Sequence, residues 1–236
     1  MKARPQLFLC IGHRGAMGHE PENTLRSFRR AIELGADAVE LDVQFVDDRL
    51  VVFHDRFLGR TTNGFGFLVR KRFDELRELD AGKGERIPTL AEVLDLVARR
   101  VWVNIELKGP GTAKPTVALL EQYVVHHGWR WDDFLISSFD HDQLRAVQRL
   151  QPALRLGVLF NKSAHDAVDR AAALGAYSLH LPRLGVKAES VHAAHAVSLK
   201  VFAYTVNALH DLARMHRLGV DGVFTNYPDR VRHGSR

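Results

Sequence analysis

Seven side chains in the first half of this sequence have types and spacings that fit one kind of chemistry. His13 and Arg14 stand side by side at the end of an apolar run, in IGHRG (11–15). Glu40 and Asp42 are two apart in VELDV, Glu106 and Lys108 are two apart in NIELKG, and His54 closes a further apolar run, LVVFHD. In a strand, a spacing of two puts both side chains on one face. Three converging carboxylates make a hard oxygen site suited to one divalent cation, Mg²⁺ or Ca²⁺. Arg14 and Lys108 are fixed cations that can hold a phosphate, Arg14 through its planar fork. His13 and His54 can trade a proton near neutral pH. A divalent ion can neutralise a phosphoryl oxygen and lower the pKa of a coordinated hydroxyl. The set is an outfit for phosphoryl transfer with acid–base help. Each fragment alone has a plainer explanation: a rim salt bridge, an ion pair, a packed histidine. Their joint occurrence at strand ends is what marks a site. Lys108 as a Schiff-base lysine is the weaker reading, because carboxylates surround it. The sequence shows no P-loop, no G-x-S-x-G elbow and no glycine-rich dinucleotide fingerprint after the first strand.

Positioning these residues requires strands. Short apolar or β-branched runs recur at 7–11, 38–43, 101–107, 134–139, 155–160, 177–181, 200–206 and 221–225. Helical spacing fills the gaps, at 23–35, 90–97, 114–127, 141–150, 163–174, 186–197 and 208–218. Thr24 and Thr89 are start signals, and Gly35, Gly128, Gly175 and Gly219 stop signals. Eight strands alternating with helices in 236 residues predict a closed TIM (β/α)8 barrel, a fold of roughly 250 residues. Its active site would lie at the C-terminal strand ends, where the seven residues fall. LVVFHD follows strand two too closely for a parallel crossover, so a hairpin around Asp47 and Asp48 should return His54 to the level of Glu40 and Asp42. Residues 56–87 read as a small insertion, a loop or lid over the mouth of a single domain spanning 1–236. Glu20 and Glu22 read as the acidic first turn of the first helix. Gly12 and Gly15 would allow backbone and ligand to approach closely.

Composition narrows the function. Apolar residues make up 46% and charged residues 26%, with a net charge of +5, normal for a globular enzyme and too weak a surplus to imply nucleic-acid binding. The same mild field suits a small anionic substrate. Cys10 is the only cysteine, which excludes an intrachain disulfide, suits a reducing compartment and reads as a core residue. There is no signal-peptide stretch and no apolar run long enough to span a bilayer, so a cytoplasmic enzyme is the default and attachment to a membrane surface stays open.

The stretch GHRG…PENTLRSFRRAIELGADAVELDVQFVDDRLVVFHD resembles the glycerophosphodiester phosphodiesterase family. RTTNGFG, IPTLAEVL, NIELK, ISSF, YTVN and DGVFTNYPD follow in the family's order, so the resemblance covers about residues 9–229. It implies a barrel of the phospholipase-C-like phosphodiesterase type with an insertion after strand two. It implies His13 and His54 as the catalytic pair, Arg14 and Lys108 on the phosphate, and Glu40, Asp42 and Glu106 on the metal. The implied reaction is hydrolysis of a glycerophosphodiester to sn-glycerol 3-phosphate and an alcohol, in glycerophospholipid degradation, through a cyclic phosphate. The alternative is a lysophospholipase D, with Phe53, Phe57, Phe65 and Phe67 as an apolar entrance. A non-catalytic binding barrel would be expected to have lost a histidine or a carboxylate, and none is lost. Three positions depart from the family's habit: Tyr204 where Trp is frequent, Asn226 where Asp is common, and the hairpin tip FVDDRL without its usual Thr and Gly. Tyr204 would alter the pocket wall and Asn226 a pocket contact, the hairpin tip is a change of turn chemistry away from catalysis, and none is expected to touch the catalytic set.

Overall fold

A computed structural model describes residues 8–162 and 166–233. Residue 7 of the expected first strand and residues 163–165 of the expected helix 163–174 lie outside the described residues. The strands are β1 (Leu9–Gly12), β2 (Ala38–Val46), β3 (Arg49–Val52), β4 (Trp102–Leu107), β5 (Phe134–Ser138), β6 (Arg155–Leu159), β7 (Ser178–Pro182), β8 (Lys200–Tyr204) and β9 (Gly222–Thr225). They order as β1-β9-β8-β7-β6-β5-β4-β2, all parallel, and β1 pairs with β2 to close the barrel. The helices are α1 (Leu25–Glu33), α2 (Phe73–Arg77), α3 (Leu90–Val97), α4 (Ala113–His126), α5 (His141–Leu150), α6 (Ala167–Ala173), α7 (Ala188–Ala196), α8 (Leu209–Leu218) and α9 (Pro228–His233).

Alternation along each strand sorts core from site. In β2, Val39, Leu41 and Val43 pack with Phe28, Ala31 and Leu94 in the layer between sheet and helices. The intervening Ala38, Glu40, Asp42 and Gln44 therefore point into the barrel. In β4, Val103, Ile105 and Leu107 join the same outer layer, which leaves Trp102, Asn104 and Glu106 inside. The strands' register sets Glu40 beside Asn104 and Asp42 beside Glu106. Ile11, Ala38, Leu135, Phe202 and Phe224 fill the lower interior. Cys10 is fully buried in the outer layer, as expected.

Local chemistry explains the element ends. The Thr24 hydroxyl accepts the Ser27 N–H at the start of α1. Thr89 and Glu92 form a reciprocal capping box at α3, satisfying amides the helix cannot. Gly15 has φ +83°, and a Cβ there would stand 2.4 Å from Ser27 Oγ. A Cβ on Gly12 would meet the Gly15 carbonyl at 2.7 Å and Ala31 Cβ at 3.0 Å. These glycines permit a close approach to the chain's own loop and α1.

β3 pairs antiparallel with the end of β2, Val43 opposite Val52. Asp47 and Asp48 both have positive φ, 49° and 55°, as a two-residue type I′ hairpin turn requires. Asp is one of the few residues that tolerate it, so the turn survives without the usual tip. Asp47 also accepts the N–H of Phe73 at 2.9 Å, which ties the hairpin to the insertion. The insertion has a core of its own: Leu58, Leu68, Leu76, Ala81 and Ile87 bury against Val46, Val51 and Phe53 of the hairpin. Phe53 is therefore a core residue and no part of an entrance.

Leu58 is fully buried, and Leu58→Ala should cost about 2–5 kcal/mol. Because that core is shared with the hairpin, urea denaturation should show one cooperative transition at lower midpoint, with no separate early step for the insertion.

Candidate active site

The carboxylates of Glu40, Asp42 and Glu106 each place an oxygen within 4.8 Å of the others. They are buried, at 2, 1 and 9% exposure. Burial, then the charge of Asp42, pushes Glu106 up to about 7, against the opposing pull of Lys108. Glu40 is raised well above its ordinary range by burial and by the two neighbouring carboxylates. Such crowding of hard oxygens suits a divalent cation. The cations nearby are Arg14, whose backbone N–H donates to Glu40 at 2.8 Å and whose Nε lies 3.2 Å from Asp42, and Lys108, whose Nζ donates to Glu106 at 2.8 Å. Asn23 donates to the same Asp42 oxygen at 2.9 Å. The Arg14 Nε–H is not aimed well enough at Asp42 to count as a hydrogen bond, so that contact is a charge pairing.

The two histidines are each anchored through Nδ1. His13 Nδ1 is 2.8 Å from the amide oxygen of Asn226. His54 Nδ1 is 2.5 Å from Asp55 Oδ1. Both partners accept, which puts the proton on Nδ1 and leaves Nε2 as the basic nitrogen. Burial, with the charge of Arg14 behind it, lowers His13 to about 4. His54 is also lowered, by burial and by Arg14 and Lys108, against the pull of Asp42 and Asp55. Gln44 donates to the carbonyl of Asp55 at 2.8 Å and to those of Phe53 and His54. That one amide pins the backbone that carries His54.

Behind the histidines runs an unbroken chain of ion pairs. Arg14 Nη1 reaches Glu22 at 2.6 Å. Arg60, from the insertion, donates both Nη atoms to Glu22, at 2.7 and 2.6 Å, and its Nε to Asp55. Asp55 holds His54. Glu22 is thus no simple first-turn acid: α1 has no acidic residue in its first turn. Glu20 likewise pairs with Arg26 and Lys83. The sequence-level set lacked Glu22, Asn23, Gln44, Asp55, Arg60 and Asn226. PENT, HD and RTTNG contain four of them, but no spacing rule assigns the contacts.

Six of the seven expected residues line one cavity of about 340 Å³: His13, Arg14, Glu40, His54, Glu106 and Lys108. Asp42 lies behind them, held by Arg14 and Asn23. Tyr204, Phe139 and Leu159 form an apolar wall, and Asn104, Ser137 and His180 line the cavity from β4, β5 and β7.

A profile of the glycerophosphoryl diester phosphodiesterase family matches residues 13–230. The chain belongs to this family. The glycerophosphodiester phosphodiesterase of Caldanaerobacter subterraneus subsp. tengcongensis is 39% identical over 237 residues, 94% of this chain and 96% of that one. That of Bacillus altitudinis is 37% identical over 233 residues, 94% of this chain and 95% of that one. The structure of an Oleispira antarctica phosphodiesterase in complex with the product sn-glycerol-3-phosphate has a TM-score of 0.89 and 32% identity, covering 97% of each chain. Family membership accords with the barrel and its insertion, and it sharpens two departures. Asn226 is not remote from the expected catalytic set, because it bonds His13 directly. A neutral amide there gives the imidazole less help to hold a proton than a carboxylate would. Tyr204 uses its hydroxyl to reach the Phe160 carbonyl at 2.6 Å, which fixes its ring as a cavity wall.

His180 is fully buried, bonded to Ser178 at 2.8 Å, and burial lowers it from 6.5 to about 3. The unfolded chain therefore binds a proton that the folded one refuses as pH falls below 6.5, and stability drops. Between pH 7 and 5 this histidine should remove about 2 kcal/mol. His180→Phe should show a correspondingly flatter stability profile in urea titrations at the two pH values. Identical profiles would show that His180 is not held neutral.

Proposed function

We propose that this chain hydrolyses glycerophosphodiesters to sn-glycerol 3-phosphate and an alcohol, with a divalent cation and the pair His13 and His54. The observation that carries this reading is the pair of Nδ1-anchored imidazoles lining one cavity with Arg14, Lys108, Glu40 and Glu106, with Asp42 clustered behind them. The product held by the similar Oleispira antarctica phosphodiesterase supports the same substrate class. Glu40, Asp42 and Glu106 would hold Mg²⁺ or Ca²⁺, and their mutual repulsion, with Glu106 raised to about 7, is the physical sign that the donor set fits. When bound, such a cation supplies neutralisation of negative charge at phosphorus.

Arg14 and Lys108 orient the phosphate. The glycerol hydroxyl next to the diester attacks phosphorus: a new O–P bond forms and the P–O bond to the alcohol breaks, which leaves a cyclic phosphate. Water then opens the ring. His13 takes the proton from the attacking hydroxyl, because its partner Asn226 is neutral and the ring stays unprotonated in the resting site. His54, on the other side, takes up a proton at Nε2 and gives it to the leaving alcohol, its cation favoured by Asp42 and Asp55 although burial, Arg14 and Lys108 lower it overall. The roles reverse in the second step. Arg60 shares the Asp55 carboxylate, fixing where it points, and acts as a positioning residue. A chain with one cysteine, Cys10, suits the cytoplasm, and glycerophospholipid degradation is the process such a product would serve.

Purified protein with Mg²⁺ or Ca²⁺ should release glycerol 3-phosphate from glycerophosphocholine, lose that activity in EDTA, and regain it when the ion is restored. Absence of turnover on every head group and ion tested would overturn the assignment. A higher kcat/KM on a lysolipid would shift it to the lysophospholipase D alternative. His13→Ala and His54→Ala should each lower kcat by roughly 10²–10⁴-fold, and Glu40→Gln should weaken the metal titration. Arg60→Ala should lower kcat by about tenfold or more with KM little changed. In a His54→Ala background it should cost nothing further, since its effect passes through that ring. Additive losses would disprove the positioning role.

A further inference from the structure

The outer face of the insertion is apolar where nothing inside the molecule requires it. Leu58 and Leu68 point inward and are fully buried. Their neighbours point out: Phe57 is 51% exposed, Phe65 87%, Phe67 37% and Val69 61%. Scattered exposed apolar residues are ordinary, but four within thirteen residues, three of them phenylalanines, form a patch. The patch is built, not loose. The Leu58 N–H donates to the Gly66 carbonyl at 3.0 Å and the Leu68 N–H to that of Arg56 at 2.9 Å, and the Phe57 and Phe67 rings sit 4.0 Å apart.

Charge identifies what such a face would meet. From Arg56 to Phe73 the chain carries five Lys or Arg and no Asp or Glu. Arg60 is engaged inward with Glu22 and Asp55. Arg56 and Arg70 make no ion pair among the described residues, and Arg70 lies over the Phe67 ring, 5.1 Å from its centroid. Lys71 and Arg72 have only long surface pairs, 3.5 Å to Glu75 and 3.7 Å to Asp74. Aromatic side chains ringed by basic ones match the headgroup region of an anionic bilayer, into which rings insert while guanidinium groups meet phosphates. A second copy of this chain fits badly, because a two-fold contact through the patch would set Arg56, Arg70 and Arg72 near their own counterparts. No helix among the described residues is long and apolar enough to cross a membrane.

We propose that the face formed by Phe57, Phe65, Phe67 and Val69, rimmed by Arg56, Arg70 and Arg72, docks the protein on an anionic lipid surface. Phe57 follows His54 by three residues, so the patch begins close in the chain to a residue that lines the cavity. The inference stands on the patch alone and does not depend on which diester the site cleaves.

Sedimentation of the intact chain with vesicles tests it, using phosphatidylcholine alone and phosphatidylcholine mixed with phosphatidylglycerol in equal parts, at low and high salt. The mixed vesicles should bind the protein and the zwitterionic ones should not, with binding lost at high salt. Phe65→Ser/Val69→Ser and, separately, Arg56→Gln/Arg70→Gln should each weaken binding by roughly tenfold or more, while thermal melting stays unchanged. Three results would overturn the proposal. One is failure of the unaltered chain to bind mixed vesicles at low salt. Another is a serine variant that binds as the parent does, which would reduce the effect to net charge. The third is a concentration-dependent dimer that the serine variant dissolves, which would assign the face to self-association.

Discussion

Packing three carboxylates into one buried site is the electrostatic constraint on which the mouth of this barrel depends. Two like charges 4 Å apart repel by about 4 kcal/mol even at an effective dielectric of 20. Glu40, Asp42 and Glu106, with oxygens within 4.8 Å of one another, would impose three such pairs when all are ionised, and Glu40 and Glu106 hold their protons more tightly unless positive charge is brought to them. Arg14 and Lys108 supply it from β1 and β4. The guanidinium of Arg14 would swing freely from a short loop, and Glu22 steadies it. Glu22 is a further, half-buried acid and draws in Arg60, which in turn clamps Asp55, and Asp55 orients His54. Charge alternates at each link. The His54 ring that follows the hairpin is thus held by a series of pairings that begins at the carboxylate cluster.

The same arrangement divides what local sequence can convey from what it cannot. Strand alternation is local, so the inward direction of Glu40, Asp42 and Glu106 follows from a spacing of two. The hairpin that returns His54 follows from a connection too short for a crossover. The contact between His13 and Asn226 joins residues 213 positions apart, and that between Arg60 and Glu22 spans 38. Neither has a periodicity to betray it. The family's habit of Asp at position 226 marked that residue as unusual without revealing that it touches an imidazole. Residues 56–87 read as a loop or lid because the segment is rich in Gly, Arg and Phe and too small for a domain of its own. The burial of Leu58, Leu68, Leu76 and Ile87 against Val46, Val51 and Phe53 is a tertiary fact, set by where the hairpin projects.

Glycine and asparagine use near the site is structural economy of another kind. Gly12 and Gly15 let the loop after β1 lie against α1, which brings the Arg14 N–H to Glu40. Asn23 sits at φ 57° just before α1 and turns its amide onto Asp42. The PENT turn therefore belongs to the site as much as to the helix it precedes.

Arg60 carries a consequence for how such an enzyme can diversify. Barrel enzymes are often pictured as a conserved frame whose loops are exchanged to change specificity. Here the segment after the hairpin is not a free module. It shares its apolar core with the hairpin, and through Arg60 it completes the pairing that orients His54. A replacement segment of different length or origin would have to deliver a guanidinium to the same point between Glu22 and Asp55 before it could offer a new rim to substrate or lipid. Frame and cover are therefore one physical unit, and the exposed positions between the buried leucines are where substitution disturbs that unit least.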